Sequence, residues 1–135
     1  MIDRHALAAL LLRLSLGVMY LAHGLTKLLV FTPAGTAKFF ASLGLPGWFA
    51  YPTMAAEIAG GLLLLAGIRT REVAVVLVPV LAGALIFAHA RNGWSFAAPG
   101  GGWEYPAFLI AASLVLALLG DGAFALGRRH AGGAS

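Results

Sequence analysis

Residues 51–68 read YPTMAAEIAGGLLLLAGI, and after the polar link RTRE (69–72) a second apolar segment, VAVVLVPVLAGALIFAHA, fills residues 73–90. A helix needs about 20 mostly apolar residues to cross the roughly 30 Å of hydrocarbon in a bilayer. Both segments approach this length, and the link between them is short enough for a tight hairpin. This stretch therefore predicts two neighbouring helices that span a membrane.

Two further apolar segments, at about 6–31 and 105–119, flank the hairpin. Of the 135 residues, 61% are hydrophobic and only 10% are charged, which is too little charge to cover a soluble domain. Because the backbone must satisfy its own hydrogen bonds in lipid, helices are expected. We predict an all-α fold, a four-transmembrane-helix bundle with spans at about 6–31, 51–68, 73–90 and 105–119. It would form a single domain over residues 1–135, with a kink at Pro79 in the third span.

The connection between the first two spans contains a further helical signal. Thr36 is predicted to cap a short helix, which Gly44 and Pro46 are predicted to end. Phe39, Phe40 and Leu43 would make this helix apolar enough to lie in the membrane interface. We therefore expect a short interfacial helix in the first extracytoplasmic loop.

Basic residues are distributed unevenly between the two sides of this arrangement. The side with both termini carries Arg4, Arg69, Arg71, Arg128 and Arg129, whereas the other side carries Lys38 and Arg91, with Lys27 near a span end. Since Lys and Arg are enriched in cytoplasmic loops, we predict a multi-pass inner-membrane protein with both termini in the cytoplasm. The formal net charge of +4 is then explained by membrane topology. Membrane lipid is the expected contact, and no nucleic-acid partner is expected.

Polar side chains inside the apolar segments are the main clue to function, because an ionisable one costs about 2.5–3.5 kcal/mol on insertion scales. Tyr20, His23 and Lys27 are spaced three and four residues apart, so they share one face of the first span. Glu57 lies about 9 Å inside the second span at 1.5 Å per residue, at a depth similar to that of His23. The first two spans are therefore expected to bring these side chains together.

The remaining spans add His89 and Glu104 near their outer ends. Every span thus contributes a polar residue to the outer half of the predicted bundle. Arg13 lies seven residues before Tyr20, on roughly the same stripe but nearer the cytoplasm. A polar pocket beneath the extracytoplasmic face is the resulting prediction.

Structural roles for the same residues stay open. Lys27 could extend its ammonium to the outer headgroups, and Arg13 could pair with a structural group. The polar residues at the outer ends of the third and fourth spans could simply be solvated. Glu57 could form a purely structural pair with Lys27 or His23, although such buried pairs rarely add much net stability.

Six short motifs follow one another along the chain: Arg13-x3-Gly17, His23-Gly24-x2-Lys27-Leu28, Gly44-Leu45-Pro46, Glu57-x2-Gly60-Gly61, Leu65-x-Gly67-x3-Arg71 and Gly101-x2-Glu104. In this order the sequence resembles the DoxX family of small bacterial and archaeal membrane proteins, from Arg13 to Leu126. Gly120-Asp121-Gly122 departs from the proline-containing version expected of the family. The resemblance implies a four-helix membrane fold. Some members are subunits of thiosulfate:quinone oxidoreductases, and others are linked to redox or oxidative-stress membrane complexes.

We therefore expect an integral membrane subunit of a quinone-linked redox system, whose pocket binds a quinone head group or a small reductant. Two-electron quinone chemistry moves two protons, so the site needs hydrogen-bond donors and groups that relay protons. Glu57 and His23 are the candidate catalytic residues. The candidate cofactor-binding residues are Tyr20, Lys27, His89, Glu104 and Arg13.

Other function classes are left open by the sequence. One is a non-catalytic anchor or assembly subunit of a redox or stress-response complex, and another is a small-solute or ion pathway. Metal binding is a third, with His23, Glu57, His89 and Glu104 as possible ligands. The chain has no cysteine and no dinucleotide-binding fingerprint, and neither haem nor flavin is expected. Electrons would come from a partner redox protein or a small reductant, and a homo-oligomer is the other expected assembly.

Overall fold

The computed structural model describes residues 1–127, and all regular elements in that range are helical. Helix α1 spans Arg4–Leu25 and continues into a π-helical segment, Thr26–Val30. It is followed by α2 (Pro33–Ser42), α3 (Ala50–Ala66), α4 (Thr70–Gly83) and α5 (Glu104–Leu119). A second π-helical segment, Ala84–His89, extends α4. The prediction of an all-α protein is confirmed for this part of the chain.

Three helical stretches among the described residues are long and apolar enough to cross a membrane. They are Arg4–Val30, Gly47–Ala66 and Thr70–Asn92, with mean hydropathies of 1.6, 1.4 and 2.4. Each joins an α-helix to the π-helical or 3-10 turns beside it. Helix α5 is apolar but shorter, with 16 residues. The chain is therefore a multi-pass membrane protein with three long apolar helices and one shorter one.

The short helix of the first connection begins earlier than predicted. Thr32, and not Thr36, is its N-cap, and the Thr32 hydroxyl accepts a hydrogen bond from the backbone N–H of Gly35 at 3.1 Å. Pro33 occupies the first helical position, where its fixed φ and missing N–H are tolerated. Thr36 lies one turn inside the helix, and its buried hydroxyl donates to the carbonyls of Lys27 and Thr32. Gly44, at φ +86°, follows the helix end as predicted.

Helices α1 and α3 form the most extensive contact, and glycines set their separation. A methyl group added at Gly61 would lie 2.7 Å from the backbone nitrogen of Leu21 and 2.9 Å from the carbonyl oxygen of Gly17. At Gly24 the same addition would lie 2.7 Å from Cγ1 of Ile58. Because these distances are shorter than van der Waals contact, only glycine permits so close an approach of the two backbones.

The hydrophobic core lies where α1, α3, α4 and α5 meet. Helix α4 packs mainly on α5, and Gly60 of α3 leaves room for the side chain of Leu77 on α4. The large buried side chains of this core include Leu16, Tyr20, Leu64, Leu77, Leu109 and Leu116. The core separates the two ends of the helices, so polar groups at one end are isolated from those at the other.

At the end of the molecule where α1 begins, the buried Arg13 connects α1, the end of α3 and the segment after α5. The Arg13 guanidinium donates to the carbonyls of Leu64 and Leu65 at 2.8 and 2.9 Å, and to that of Ala123 at 3.0 Å. The carbonyls of Leu64 and Leu65 belong to the last turn of α3, where helix carbonyls lack intrahelical partners and attract positive charge. Arg13 therefore closes the end of α3 and fixes the segment that follows α5.

The segment after α5 continues along the same end of the molecule. The backbone N–H groups of Leu126 and Gly127 donate to the carbonyls of Ala66 and Gly67, each at 3.0 Å. The carboxylate of Asp121 accepts from the N–H of Thr70 at 3.3 Å, at the beginning of α4. Residues Gly120-Asp121-Gly122, which depart from the expected motif, thus follow the end of α5 and cap the N-terminus of α4.

Candidate functional site

A buried ion pair lies at the opposite end of the α1–α3 contact. The Lys27 ammonium donates to both carboxylate oxygens of Glu57, at 3.0 and 2.9 Å. The Glu57 side chain is 7% exposed and that of Lys27 is 20% exposed. Gly24 makes the contact possible, since a methyl group there would lie 3.1 Å from Cβ of Glu57. The predicted convergence of these two side chains is therefore present.

Both π-helical segments carry candidate site residues. Lys27 lies in the segment that ends α1, and His89 is the last residue of the segment that extends α4. A π-helical turn accommodates one extra residue, so it rotates the following side chains relative to a regular α-helix. Pro79, which lacks a backbone N–H, lies inside α4 before the second segment. Pro79 was the only sequence signal for either irregularity.

A cavity of about 910 Å³ opens beside the ion pair, and all five helices contribute to its wall. Its polar lining includes five of the seven predicted site residues: Tyr20, His23, Lys27, Glu57 and His89. Its volume is near the upper end of the range for pockets that hold small organic ligands. The structure thus gathers these five side chains around one space.

Most of the cavity wall is apolar. Helix α2 contributes Phe39 and Phe40, the π-helical end of α4 contributes Phe87, and α5 contributes Leu109. A few polar groups within a largely apolar and aromatic wall are typical of sites for small hydrophobic molecules. The Thr36 hydroxyl donates to the carbonyl of Lys27, which ties α2 to the π-helical end of α1.

The two histidines on the wall are held in the same way. The Nδ1–H of His23 donates to the carbonyl of Met19 at 2.8 Å, and the Nδ1–H of His89 donates to the carbonyl of Gly101 at 2.9 Å. A carbonyl oxygen only accepts, so each ring carries its proton on Nδ1. Each Nε2 makes no hydrogen bond within residues 1–127, and it is the nitrogen available to a ligand.

Two tyrosines add further polar groups to the cavity wall, and only one of them, Tyr20, was predicted from the sequence. The Tyr20 hydroxyl is hydrogen-bonded to that of Ser113 on α5 at 2.7 Å, and both residues are buried. Tyr105 lines the cavity with its ring centroid 6.3 Å from that of His23. Ser113 and Tyr105 were not predicted as site residues. Tyr105 did stand beside the candidate Glu104, whereas no sequence signal marked Ser113 within the apolar run of α5.

Two predicted site residues lie away from the cavity. Glu104 accepts a hydrogen bond from the backbone N–H of Phe96 at 3.2 Å, which closes the loop before α5. Arg13 lies at the other end of α3, bonded to backbone carbonyls. The structure therefore gives both residues contacts in the fold and does not bring them to the cavity.

The described residues contain no group of three or more His, Cys, Asp or Glu side chains that could hold a metal ion. The four ligands considered from the sequence are divided between separate contacts. Glu57 is paired with Lys27, and Glu104 is bonded in its own loop.

Comparison with known proteins identifies the family of the chain. The model of the DoxX family matches residues 8–90. The chain is 36% identical over 120 residues to "Putative oxidoreductase CatD" of Bacillus subtilis (strain 168), a match that covers 89% of this chain and 84% of the relative. No solved structure matches the chain significantly. The family match includes the ion pair, both histidines and the glycines of the α1–α3 contact.

Proposed function

This chain belongs to the DoxX family, and from that premise we propose that it is the membrane subunit of a quinone-linked redox system. The cavity beside the Lys27–Glu57 pair is the proposed site of the quinone head group. The single observation that carries the proposal is the placement of three chemically different groups on one wall: an ion pair, two histidines and two tyrosines. The relative named as an oxidoreductase supports the redox assignment.

The proposed topology has four spans, with α5 as the last. At 1.5 Å per residue its 16 residues cover about 24 Å, which makes α5 the shortest of the four proposed spans. Exposed Trp48, Trp94 and Trp103 stand at the end that carries the cavity, as expected for the outer aromatic belt. Arg4, Arg69 and Arg71 stand at the opposite end, which we assign to the cytoplasm of the inner membrane. Arg128 and Arg129, which entered the same prediction, lie outside the described residues.

Helix α2 is proposed to lie in the outer interface. Its Phe39 side chain is 52% exposed although the same residue lines the cavity. An amphipathic helix at the headgroup level can bury such a side chain among acyl chains. In this position α2 would separate the proposed head-group site from the aqueous side of the membrane.

A quinone bound here would accept two electrons and two protons and become a quinol. This chain's own residues would bind the head group and manage the protons. Glu57 can hold a proton when Lys27 withdraws, and the Nε2 atoms of His23 and His89 can accept hydrogen bonds. Since the chain has no cysteine, electrons are assigned to a partner redox protein or a small reductant.

The direct test is to purify the protein in detergent from membranes rich in quinone and to identify co-extracted lipids by mass spectrometry. We expect quinone near one equivalent, and a loss of quinone in His23→Ala and Glu57→Gln. Glu104→Gln is the matched control, because Glu104 lies at the same end but off the cavity. Wild-type protein without quinone would contradict the proposal.

A non-catalytic anchor or assembly subunit is the second candidate. The observation that favours it is that Lys27 and Glu57 already satisfy each other, so their presence needs no ligand. Glu57→Gln would then reduce the yield of a larger complex without changing bound quinone. A solute pathway is less favoured, since the buried core of Leu16, Leu64 and Leu116 closes the helices between the cavity and Arg13.

A further inference from the structure

The hydrogen-bonding state of the cavity wall distinguishes the two redox forms of the proposed ligand. A quinone presents two carbonyl oxygens, which only accept hydrogen bonds, whereas a quinol presents two hydroxyl groups, which donate. A wall on which free acceptors outnumber free side-chain donors will hold the quinol more tightly. The described residues of this cavity form such a wall.

The two histidines supply the acceptors. Each Nδ1–H donates to a backbone carbonyl: His23 donates to Met19, and His89 donates to Gly101. In a neutral ring with hydrogen on Nδ1, the remaining Nε2 carries a lone pair and accepts. The rings come from different helices, so the wall offers two acceptors from two directions. The carboxylate of Glu57 adds further lone pairs to the same wall.

The wall's donors are mostly used within the protein. The hydroxyl of Thr53 donates to the carbonyl of Phe49, and that of Thr36 donates to backbone carbonyls. Lys27 directs two of its three ammonium hydrogens to Glu57. The side-chain donors left for a ligand in the described part of the wall are the third Lys27 hydrogen, the Tyr105 hydroxyl and one hydrogen of the Tyr20–Ser113 pair.

We infer that this cavity selects the reduced, dihydroxy form of its aromatic ligand, the quinol, over the quinone, through the Nε2 atoms of His23 and His89. The inference rests on the proposed function and adds which form the site prefers. Tighter binding of the product makes the bound quinone a stronger oxidant. A ten-fold preference raises the midpoint potential of the bound two-electron couple by about 30 mV.

The test is anaerobic titration of the detergent-solubilised protein with a decyl-substituted benzoquinone and with its quinol. We expect the quinol to bind at least ten-fold more tightly. In His89→Asn the amide nitrogen replaces Nδ1 and can keep the bond to the Gly101 carbonyl, but the Nε2 acceptor proposed to bind the quinol is removed. We expect this variant, and His23→Asn, to lose quinol affinity by about two- to ten-fold each, the value of one hydrogen bond, with little change for quinone.

His5→Asn is the matched control, because His5 is exposed at the other end of α1 and should leave both affinities unchanged. Equal affinity for the two forms, or tighter binding of quinone, would overturn the inference and leave the proposed function standing. A quinol preference that survives in both cavity variants would also overturn it. If neither form binds to folded wild-type protein, the proposed function itself fails.

Discussion

The ammonium of Lys27 and the carboxylate of Glu57 meet across the α1–α3 contact, at 3.0 and 2.9 Å from the two carboxylate oxygens. The two residues are 30 positions apart in the sequence, and each lies in a proposed membrane span. An unpaired charge inside such a span costs free energy. Their pairing offsets part of this cost, although the desolvation of both charges still opposes their burial. The pair also fixes the π-helical end of α1 against α3, and so shapes the wall of the cavity.

Removing one partner of this pair should be more harmful than removing both. Lys27→Met leaves the buried Glu57 carboxylate without a cation and should lower the free energy of unfolding by about 3–5 kcal/mol. The double variant Lys27→Met/Glu57→Leu should recover much of that loss, because no charge stays buried. Unfolding in detergent, followed by circular dichroism, measures both. A double variant at least as unstable as Lys27→Met would contradict this interpretation.

The glycine contact between α1 and α3 should tolerate no added methyl group. Gly61→Ala would press Cβ against backbone atoms of Leu21 and Gly17, and we expect a loss of about 1–3 kcal/mol in unfolding free energy. Gly83→Ala is the matched control, since nothing lies within 4 Å of its added methyl group. Replacing glycine within a helix should leave that control unchanged or more stable by up to about 1 kcal/mol. Thermal unfolding and folded yield compare the two; similar losses in both would rule out the steric argument.

Arg13 should stabilise the fold and not the ligand. Arg13→Lys replaces a planar fork that reaches three carbonyls with a single compact ammonium. We expect a loss of at least about 2 kcal/mol in stability and faster limited proteolysis within residues 120–127. Exposed Arg4 provides the control substitution, Arg4→Lys. If Arg13→Lys instead lost bound quinone at unchanged stability and proteolysis, its sequence-based assignment to cofactor binding would be correct.

The buried hydroxyls of Tyr20 and Ser113 should be energetically coupled. Tyr20→Phe and Ser113→Ala should each cost about 1 kcal/mol, because each leaves the other hydroxyl without a partner. The double variant should cost less than the sum, and a double-mutant cycle on unfolding free energies measures the difference. Purely additive losses would mean that the 2.7 Å contact contributes nothing.

Hydropathy predicted the long helices and their approximate ends. The free-energy cost of exposing apolar side chains to water depends on the composition of a segment more than on which other segments pack against it. The prediction that Thr36 begins the short helix was wrong for a local reason. Pro33 favours the first helical position, and its predecessor Thr32 supplies the capping oxygen, four residues before the predicted Thr36. The N-cap is the residue whose polar side chain can reach a free N–H of the first helical turn, and both Thr32 and Thr36 carry a hydroxyl that could do so.

From the sequence alone came the membrane class, the apolar helices and the shared face of Tyr20, His23 and Lys27. Composition and segment length determine the first two, and helical periodicity determines the third, because the direction of a side chain around its helix axis needs no partner helix. The tertiary structure decided which groups bond: it paired Glu57 with Lys27 and not with His23, and it bound Arg13 and Glu104 to backbone groups away from the cavity. Those outcomes depend on which helix ends and loop amides dock nearby, and spacing along one helix carries no information about them.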